Sequence, residues 1–278
     1  MSAPAEQSEY DKERAEHLRE LRAERESVEF KAQLKYINRI TNCASDTVRC
    51  CFGFSVVSKP FSSNSLTIQA SDDFAQSFFA NQLLVEQGLI NPIKRELRYL
   101  IESAVKYLYA DQQNPGKTLA EKTTFLRSID SSLDVCRDLS LGAFHTDDQK
   151  QFTDELYDTY RKMCAFVHLS PSQVGERLKQ HERGGAMGYE STKELRDLGR
   201  LLFRVYDMVF AIYFHGLSLD LTGDAFIGAF DDLPRWCFHK GKYVKVMSKY
   251  FDYKNERNIK KYGESRPWDF SNWPAPQL

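Results

Sequence analysis

Two side chains in this sequence are suited by type and spacing to acid–base work on a phosphate: Arg161 and His168, seven positions apart in a stretch of helical periodicity. Two turns of α-helix carry position i+7 to nearly the face of position i, about 10 Å along the axis. An imidazole exchanges protons near neutral pH and a guanidinium keeps its charge. Cleavage of a phosphodiester needs both a proton shuttle and a fixed cation for the charge that builds on phosphorus, so this pair would serve without a metal. Asp154 sits two turns earlier on the same row and is placed to orient Arg161, with Tyr157 on the same flank of the apolar stripe. The competing reading is structural: Arg161 pairs with Asp158 or Asp154, and His168 satisfies carbonyls at a helix end.

The elements that must position these groups are read from apolar spacing. Residues 6 to 30 alternate acidic and basic side chains and form a solvated helix held by (i, i+4) pairs. Ile37, Ile40, Ala44, Val48 and Cys51 continue at helical spacing to about Val57, after which Lys59 to Asp73 reads as a Ser-rich loop. A helix follows from about Asp73 to Gln87, then another carrying Ile93, Leu97, Ile101, Ala104 and Leu108, ended by Asn114-Pro115-Gly116. Thr118 to Ser128 is a shorter helix with an irregular exit through Ser140 to His145. Asp148 to about Val167 places Phe152, Leu156, Tyr160, Met163 and Val167 on one stripe.

Ser170-Pro171-Ser172-Gln173 is a helix start, whose free backbone N–H groups would face the neighbourhood of His168 and suit an anion. Glu190 to His215 is the longest apolar helix and is expected at the centre. From Arg235 to Tyr262 nine Lys or Arg residues stand against two acidic ones, interleaved with aromatics, and the one strand-like exception in the chain is a short ribbon around Tyr243 to Val246. Lys240, Lys242, Lys245 and Lys249 of this stretch, with Lys162, suit phosphate contact beside stacking rings, although the rings also suit anchoring. Trp268 and Trp273 read as anchors of an extended tail.

Three other features carry less chemistry. Glu102 is a candidate active-site acid, but it lies within reach of Arg98 and Lys106 and reads as an ion pair. Gly184 to Gly188 joins two helices and lacks the strand, Lys and Ser/Thr of a phosphate-binding loop. Cys237 and His239 have no second ligand pair nearby, and the six cysteines show no Cys-x-x-Cys spacing, so reduced core thiols are expected and neither a metal nor a cofactor.

Composition sets the frame. The chain has 278 residues, 42% hydrophobic and 28% charged, the balance of a chain able to bury a core. Its formal net charge of −1 excludes a global field that would draw it onto nucleic acid or a bilayer, so any basic surface must be local. Met1 to Gln7 lacks the pattern of a secretory signal, and the most apolar stretch, Leu201 to Leu217, carries Arg204, Asp207 and His215 and is too charged to span hydrocarbon. The expectation is an all-α, cytoplasmic protein with no membrane span, divided into a charged N-terminal helix (1–30), a helical bundle (31–232) and a basic aromatic extension (233–278).

The run Leu156-Tyr157-Asp158-Thr159-Tyr160-Arg161-Lys162-Met163-Cys164-Ala165-Phe166-Val167-His168, followed by Ser170-Pro171, resembles the signature helix of the HEPN superfamily, helical proteins of prokaryotic toxin, abortive-infection and CRISPR-associated systems. Members carry an Arg and a His a few residues apart, and six residues intervene here. The helix from Glu96 to Tyr109, with Leu97-Arg98 and Ile101-Glu102, resembles the second helix of such bundles, and the likeness covers residues 75 to 215. Many active members place Asn, Asp or His directly after the Arg, where this chain has Lys162. The resemblance implies a homodimer whose Arg–His pairs meet in an interfacial groove and a metal-independent endoribonuclease that uses the 2′-hydroxyl, or a degenerate RNA-binding relative. Arg161 would stabilise the phosphate, His168 would act as general base or acid, and an antitoxin or defence-system protein would be a partner. The alternative is a non-enzymatic helical interaction or regulatory module.

Overall fold

A computed structural model describes residues 4–129, 132–167, 170–182, 190–230 and 236–251, and every regular element among them is helical. In chain order these are α1 (Pro4–Glu26), α2 (Val28–Ser55), α3 (Lys59–Ser62), α4 (Leu66–Gln69), α5 (Ser71–Glu86), α6 (Ile90–Gln113), α7 (Leu119–Leu126), α8 (Thr146–Cys164), α9 (Pro171–Glu182), α10 (Thr192–Gly216), α11 (Leu219–Ala225) and α12 (Lys242–Tyr250). Short 3-10 segments at Asp134–Asp138 and Cys237–Lys240 and a π-helical turn at Phe226–Phe230 complete the described path.

Helix α10 has no polar face along its second half: every residue from Val205 to Phe214 is buried, so the helix must be surrounded. Ser191 and Glu194 start it with a reciprocal capping box. Helix α2 runs beside it in the same direction, with Gly199 against Tyr36 and Ile37 at one end and Cys51 facing Tyr213 at the other. Helix α5 runs the opposite way, since Phe74 meets Tyr213 at 5.8 Å between ring centroids and Phe78 meets Tyr206 at 4.8 Å. Helix α6 packs on both α5 and α10, and α8 lies antiparallel on α6, with Arg98 against Tyr160 and Arg95 against Phe166. The end of α1 docks at the start of α10, where Glu24 accepts a hydrogen bond from the Thr192 N–H at 2.7 Å.

Helix α12 closes the remaining side of α10 and owes its start to a carboxylate 36 residues upstream. Asp207, only 2% exposed, accepts hydrogen bonds from the N–H groups of Tyr243 at 2.9 Å and Val244 at 3.0 Å, satisfying donors that every helix N-terminus leaves open. Burial pushes the Asp207 carboxyl up to about 6, against the pull of those N–H groups. Gly241 leaves the room for this contact, because a Cβ there would stand 2.0 Å from Asp207 Oδ1. Asp111, in the last turn of α6, does the same for α4, accepting from the N–H groups of Leu66 and Thr67, both at 2.9 Å, while its other side meets Lys122 at 2.8 Å.

These long-range caps explain where local sequence signals mislead. The expected loop from Lys59 to Asp73 holds α3, α4 and the start of α5, where Asp111 from α6 adds two backbone hydrogen bonds to the local Ser65 cap of α4. The expected ribbon at Tyr243 to Val246 is part of α12, whose Tyr243, Val244, Met247 and Ser248 turn inward at helical spacing. The boundary expected at residue 233 is not a structural one: Trp236, Phe238, Tyr243, Val244 and Met247 belong to the same buried core as α2, α6 and α10. The boundary expected at 30 falls at Ser27, which accepts from the Phe30 N–H at 3.1 Å and starts α2. Trp268 and Trp273 lie outside the described residues, as does the Gly184 to Gly188 loop.

The last turn of α10 is fixed by His215, which is expected to donate from Nδ1 to the Ala211 carbonyl at 2.6 Å while its Nε2 accepts from the Ala143 N–H at 3.2 Å. Burial holds this imidazole neutral, with a pKa down at about 4.

Removing the Asp207 cap by Asp207→Ala leaves two buried N–H donors unsatisfied and is expected to cost about 2 kcal/mol in urea unfolding, with Asp207→Asn costing less. Gly241→Ala should destabilise similarly by displacing the carboxylate; a variant as stable as the parent would show that the close approach is dispensable. His215 makes the stability pH-dependent: the unfolded chain takes up a proton near 6.5 that the folded protein refuses until about 4, so its contribution is complete above pH 6.5 and drains away toward pH 4. Asp207 opposes this between 3.8 and about 6, where the folded protein holds the extra proton. The fall in Tm from pH 7 to pH 5 should therefore shrink in His215→Gln, and an unchanged fall would remove His215 as its source.

Candidate functional site

Helix α8 carries most of the residues in question, and its own electrostatics place them. Asp147 and Asp148 occupy its first turn, Arg161 and Lys162 its last, each sign at the end where the helix dipole favours it. Asp154, Tyr157 and Arg161 follow one another at i, i+3 and i+7 along the outer flank, Asp154 and Arg161 exposed and Tyr157 half-buried. The Arg137 guanidinium covers the Tyr157 ring at 5.1 Å. Among the described residues Arg161 makes no ion pair, so neither Asp154 nor Asp158 holds it.

The row stops short of His168. Helix α8 ends at Cys164, and the chain turns tightly, with the Phe166 N–H on the Met163 carbonyl and the Val167 N–H on that of Cys164. Phe166 is held from α6: Arg95 Nε donates to its carbonyl at 2.6 Å and Lys94 Nζ stands 3.7 Å over its ring. The helix that carries Arg161 is thus described only as far as this turn, and His168 lies outside the described residues. Ser170 does cap α9, accepting from the Gln173 N–H at 3.1 Å.

Glu102 is fully engaged elsewhere. It lies in the seam between α6 and α8, with Arg98 Nη2 at 3.1 Å and Lys106 Nζ at 2.7 Å. Arg98 also donates to Tyr160 Oη at 2.9 Å and reaches Cys164 Sγ at 3.4 Å. Although burial opposes its charge, contacts with Cys164, Glu102 and Tyr160 raise the Arg98 pKa, and burial followed by the nearby Glu102 pushes Tyr160 up to about 12. The Glu102 oxygens are taken up by Arg98 and Lys106 in the seam, so this cluster joins the two helices and does not complete a site with Arg161.

A cavity of about 780 Å³ opens at the other end of the Arg161 row. Asp154 and Lys150 line it from α8, Arg137 from the 3-10 segment, His215 from the end of α10, and Leu219 and Tyr250 from α11 and α12. Sequence reasoning did not find Arg137, Lys150 or His215 as neighbours. Lys150 and Asp154 share the flank of Tyr157, which is a signal, but Arg137 sits in an irregular segment whose path no periodicity reveals. His215, with both ring nitrogens engaged and its proton affinity depressed, is structural here and not a catalytic base. Among the described residues no group of three potential metal ligands comes together.

The basic residues form a separate face. Lys242, Lys245 and Lys249 stand at i, i+3 and i+7 on the exposed side of α12, with Lys240 exposed just ahead of them. Lys242 pairs with Glu155 of α8, whose carboxyl is held below its ordinary range because Lys242 and Tyr243 outweigh the effect of burial. Lys162 is two turns beyond Glu155 on the same side of α8, and the exposed Arg204 of α10 acts on both Glu155 and Tyr243. Lys162 is exposed in the last turn of α8, on the side that carries Glu155. Arg204 is a member that sequence reasoning missed, since its position in an apolar helix gave no hint that it would face α12. Lys245 and Lys249 meet no acidic partner among the described residues.

No described helix is long and apolar enough to cross a membrane. No known protein family, curated protein or solved structure matches this chain.

Proposed function

We propose that the protein binds RNA through the face formed by Lys162, Arg204, Lys240, Lys242, Lys245 and Lys249. The observation that carries this reading is the exposed row on α12, whose Lys245 and Lys249 have no carboxylate among the described residues to neutralise them, in a protein of net charge −1. Cations held in a row at helical spacing contact successive phosphates and release counterions, a sequence-independent contribution to affinity. The likeness of Leu156 to His168 to the HEPN signature extends the proposal: a cytoplasmic, metal-independent endoribonuclease of a prokaryotic defence or toxin–antitoxin system, or its RNA-binding relative, with Arg161 stabilising the phosphate and His168 moving the proton. In that arrangement two copies complete the site, and an antitoxin or defence protein restrains it.

A second reading, a helical interaction module, is favoured by one feature. Phe52 of α2, Val56 just after it, and Phe79 and Leu83 of α5 are exposed by 43%, 44%, 41% and 63% on adjoining helices, with Arg49 over the Phe79 ring at 5.7 Å. Large apolar side chains grouped on one surface are the usual mark of a contact with another protein.

Binding and cleavage separate by two variants. Changing Lys242, Lys245 and Lys249 to Glu should weaken binding of single-stranded RNA at least tenfold and lower the slope of log K against log salt by roughly two. Unchanged binding removes the RNA face. Structured RNA incubated with EDTA should be cut by the parent protein and left intact by His168→Ala, which should still bind; equal behaviour of the two proteins ends the enzymatic reading and leaves the RNA-binding relative or the interaction module.

A further inference from the structure

Cys43 and Cys237 come from opposite ends of the chain and meet across the contact between α2 and the 3-10 segment Cys237–Lys240. Tyr36, Arg39 and Cys43 stand at i, i+3 and i+7 on one face of α2, and Thr47 extends that face by a turn. The later segment crosses it: Trp236 Nε1 donates to Thr47 Oγ1 at 2.8 Å, and that hydroxyl donates to the Cys43 carbonyl at 2.6 Å. One residue on from Trp236, the thiol of Cys237 is hydrogen-bonded to that of Cys43, with Tyr36 nearby on the same face. Cys43 is half-buried and reachable from solvent, whereas Cys237 is 4% exposed behind it. Both are unbridged.

The two thiols are unequal in the way a reactive pair requires. Contact with Cys237, helped by Arg39 and opposed by burial, brings Cys43 down to about 6, while Cys237 is driven up as the partner that keeps its proton. Burial moves the thiols of Cys50, Cys51 and Cys136 upward, so they have less thiolate to offer.

We propose that Cys43 and Cys237 are a peroxide-sensitive pair that closes to a disulfide tying the Trp236–Tyr250 segment to α2. The Cys43 thiolate attacks one oxygen of hydrogen peroxide, the O–O bond breaks, and the departing hydroxide is protonated to water, leaving a sulfenic acid. The sulfur of Cys237 then attacks the sulfenic sulfur; the S–S bond forms, the S–O bond breaks, and the hydroxyl departs as water with the Cys237 proton. The two sulfurs together lose two electrons and the peroxide gains them. Because the bridge would join residues 43 and 237, it closes most of the chain into one loop and restricts the unfolded state strongly. It would also pin the helix that bears the lysine row, while the surface lysines keep their exposure.

The test uses the full-length reduced protein, exposed to hydrogen peroxide, quenched with a maleimide and digested without reductant. A peptide linking Cys43 to Cys237 should dominate over every other pairing, disappear on treatment with dithiothreitol, and accompany a rise in Tm of roughly 10 °C. In Cys237→Ser, which cannot close the bridge, Cys43 should be labelled by dimedone at least tenfold faster than Cys50. Bridges among other cysteines, no bridge at all, or equal dimedone labelling of Cys43 and Cys50 would each overturn the proposal.

Discussion

A helix with no polar side cannot lie on a surface, and the ten consecutive buried positions of α10 from Val205 to Phe214 impose that condition on the whole molecule. Each neighbouring helix must present an apolar stripe to it, and α2, α5, α6, α8 and α12 do so. One of the ten is a carboxylate. An unpartnered buried Asp207 would be costly, and the N-terminus of α12 supplies the donors that make it tolerable. The same pair of hydrogen bonds thus satisfies a charge in the core and decides where the chain returns after Trp236. Gly241 is part of this arrangement, because only a residue without a Cβ lets the carboxylate approach.

The chemistry-bearing side chains are distributed by this constraint. With the stripe of α8 committed to the core, its polar residues divide between two sides. Asp154 lines the cavity with Arg137, which also covers the Tyr157 ring, and Glu155 pairs with Lys242 of α12. The seam with α6 absorbs Glu102 into an ion-pair cluster, which removes it from both. What faces solvent as a continuous cationic row is the outer side of α12, and it is joined to the core through the Asp207 cap on the inner side.

The long periodic helices were legible from residues alone, because the apolar spacings around Ile93, Phe152 and Leu195 leave little choice of period. The elements that were missed share a cause. Asp111 and Asp207 cap N–H groups of α4 and α12 from 44 or 45 and 36 or 37 residues away, beside the local Ser65 cap of α4, and no local pattern announces a cap supplied from another helix. The Arg161 row was read correctly as a flank of α8 as far as Asp154 and Tyr157. Its extension to His168 passes beyond the described part of the chain, past Phe166, which Arg95 and Lys94 hold just after α8 ends at Cys164. The basic lysines were visible as composition, but their arrangement as one exposed row required α12 to be a helix packed on α10.

The claim that the α12 row is the phosphate-binding surface is tested most directly by lysine footprinting: acetylation of the protein with and without a saturating single-stranded RNA, read out residue by residue by mass spectrometry. The expected result is strong protection of Lys245 and Lys249, with Lys35 and Lys193, exposed on other helices, acetylated equally in both samples. Protection spread evenly over all exposed lysines, or none at Lys245 and Lys249, would contradict it.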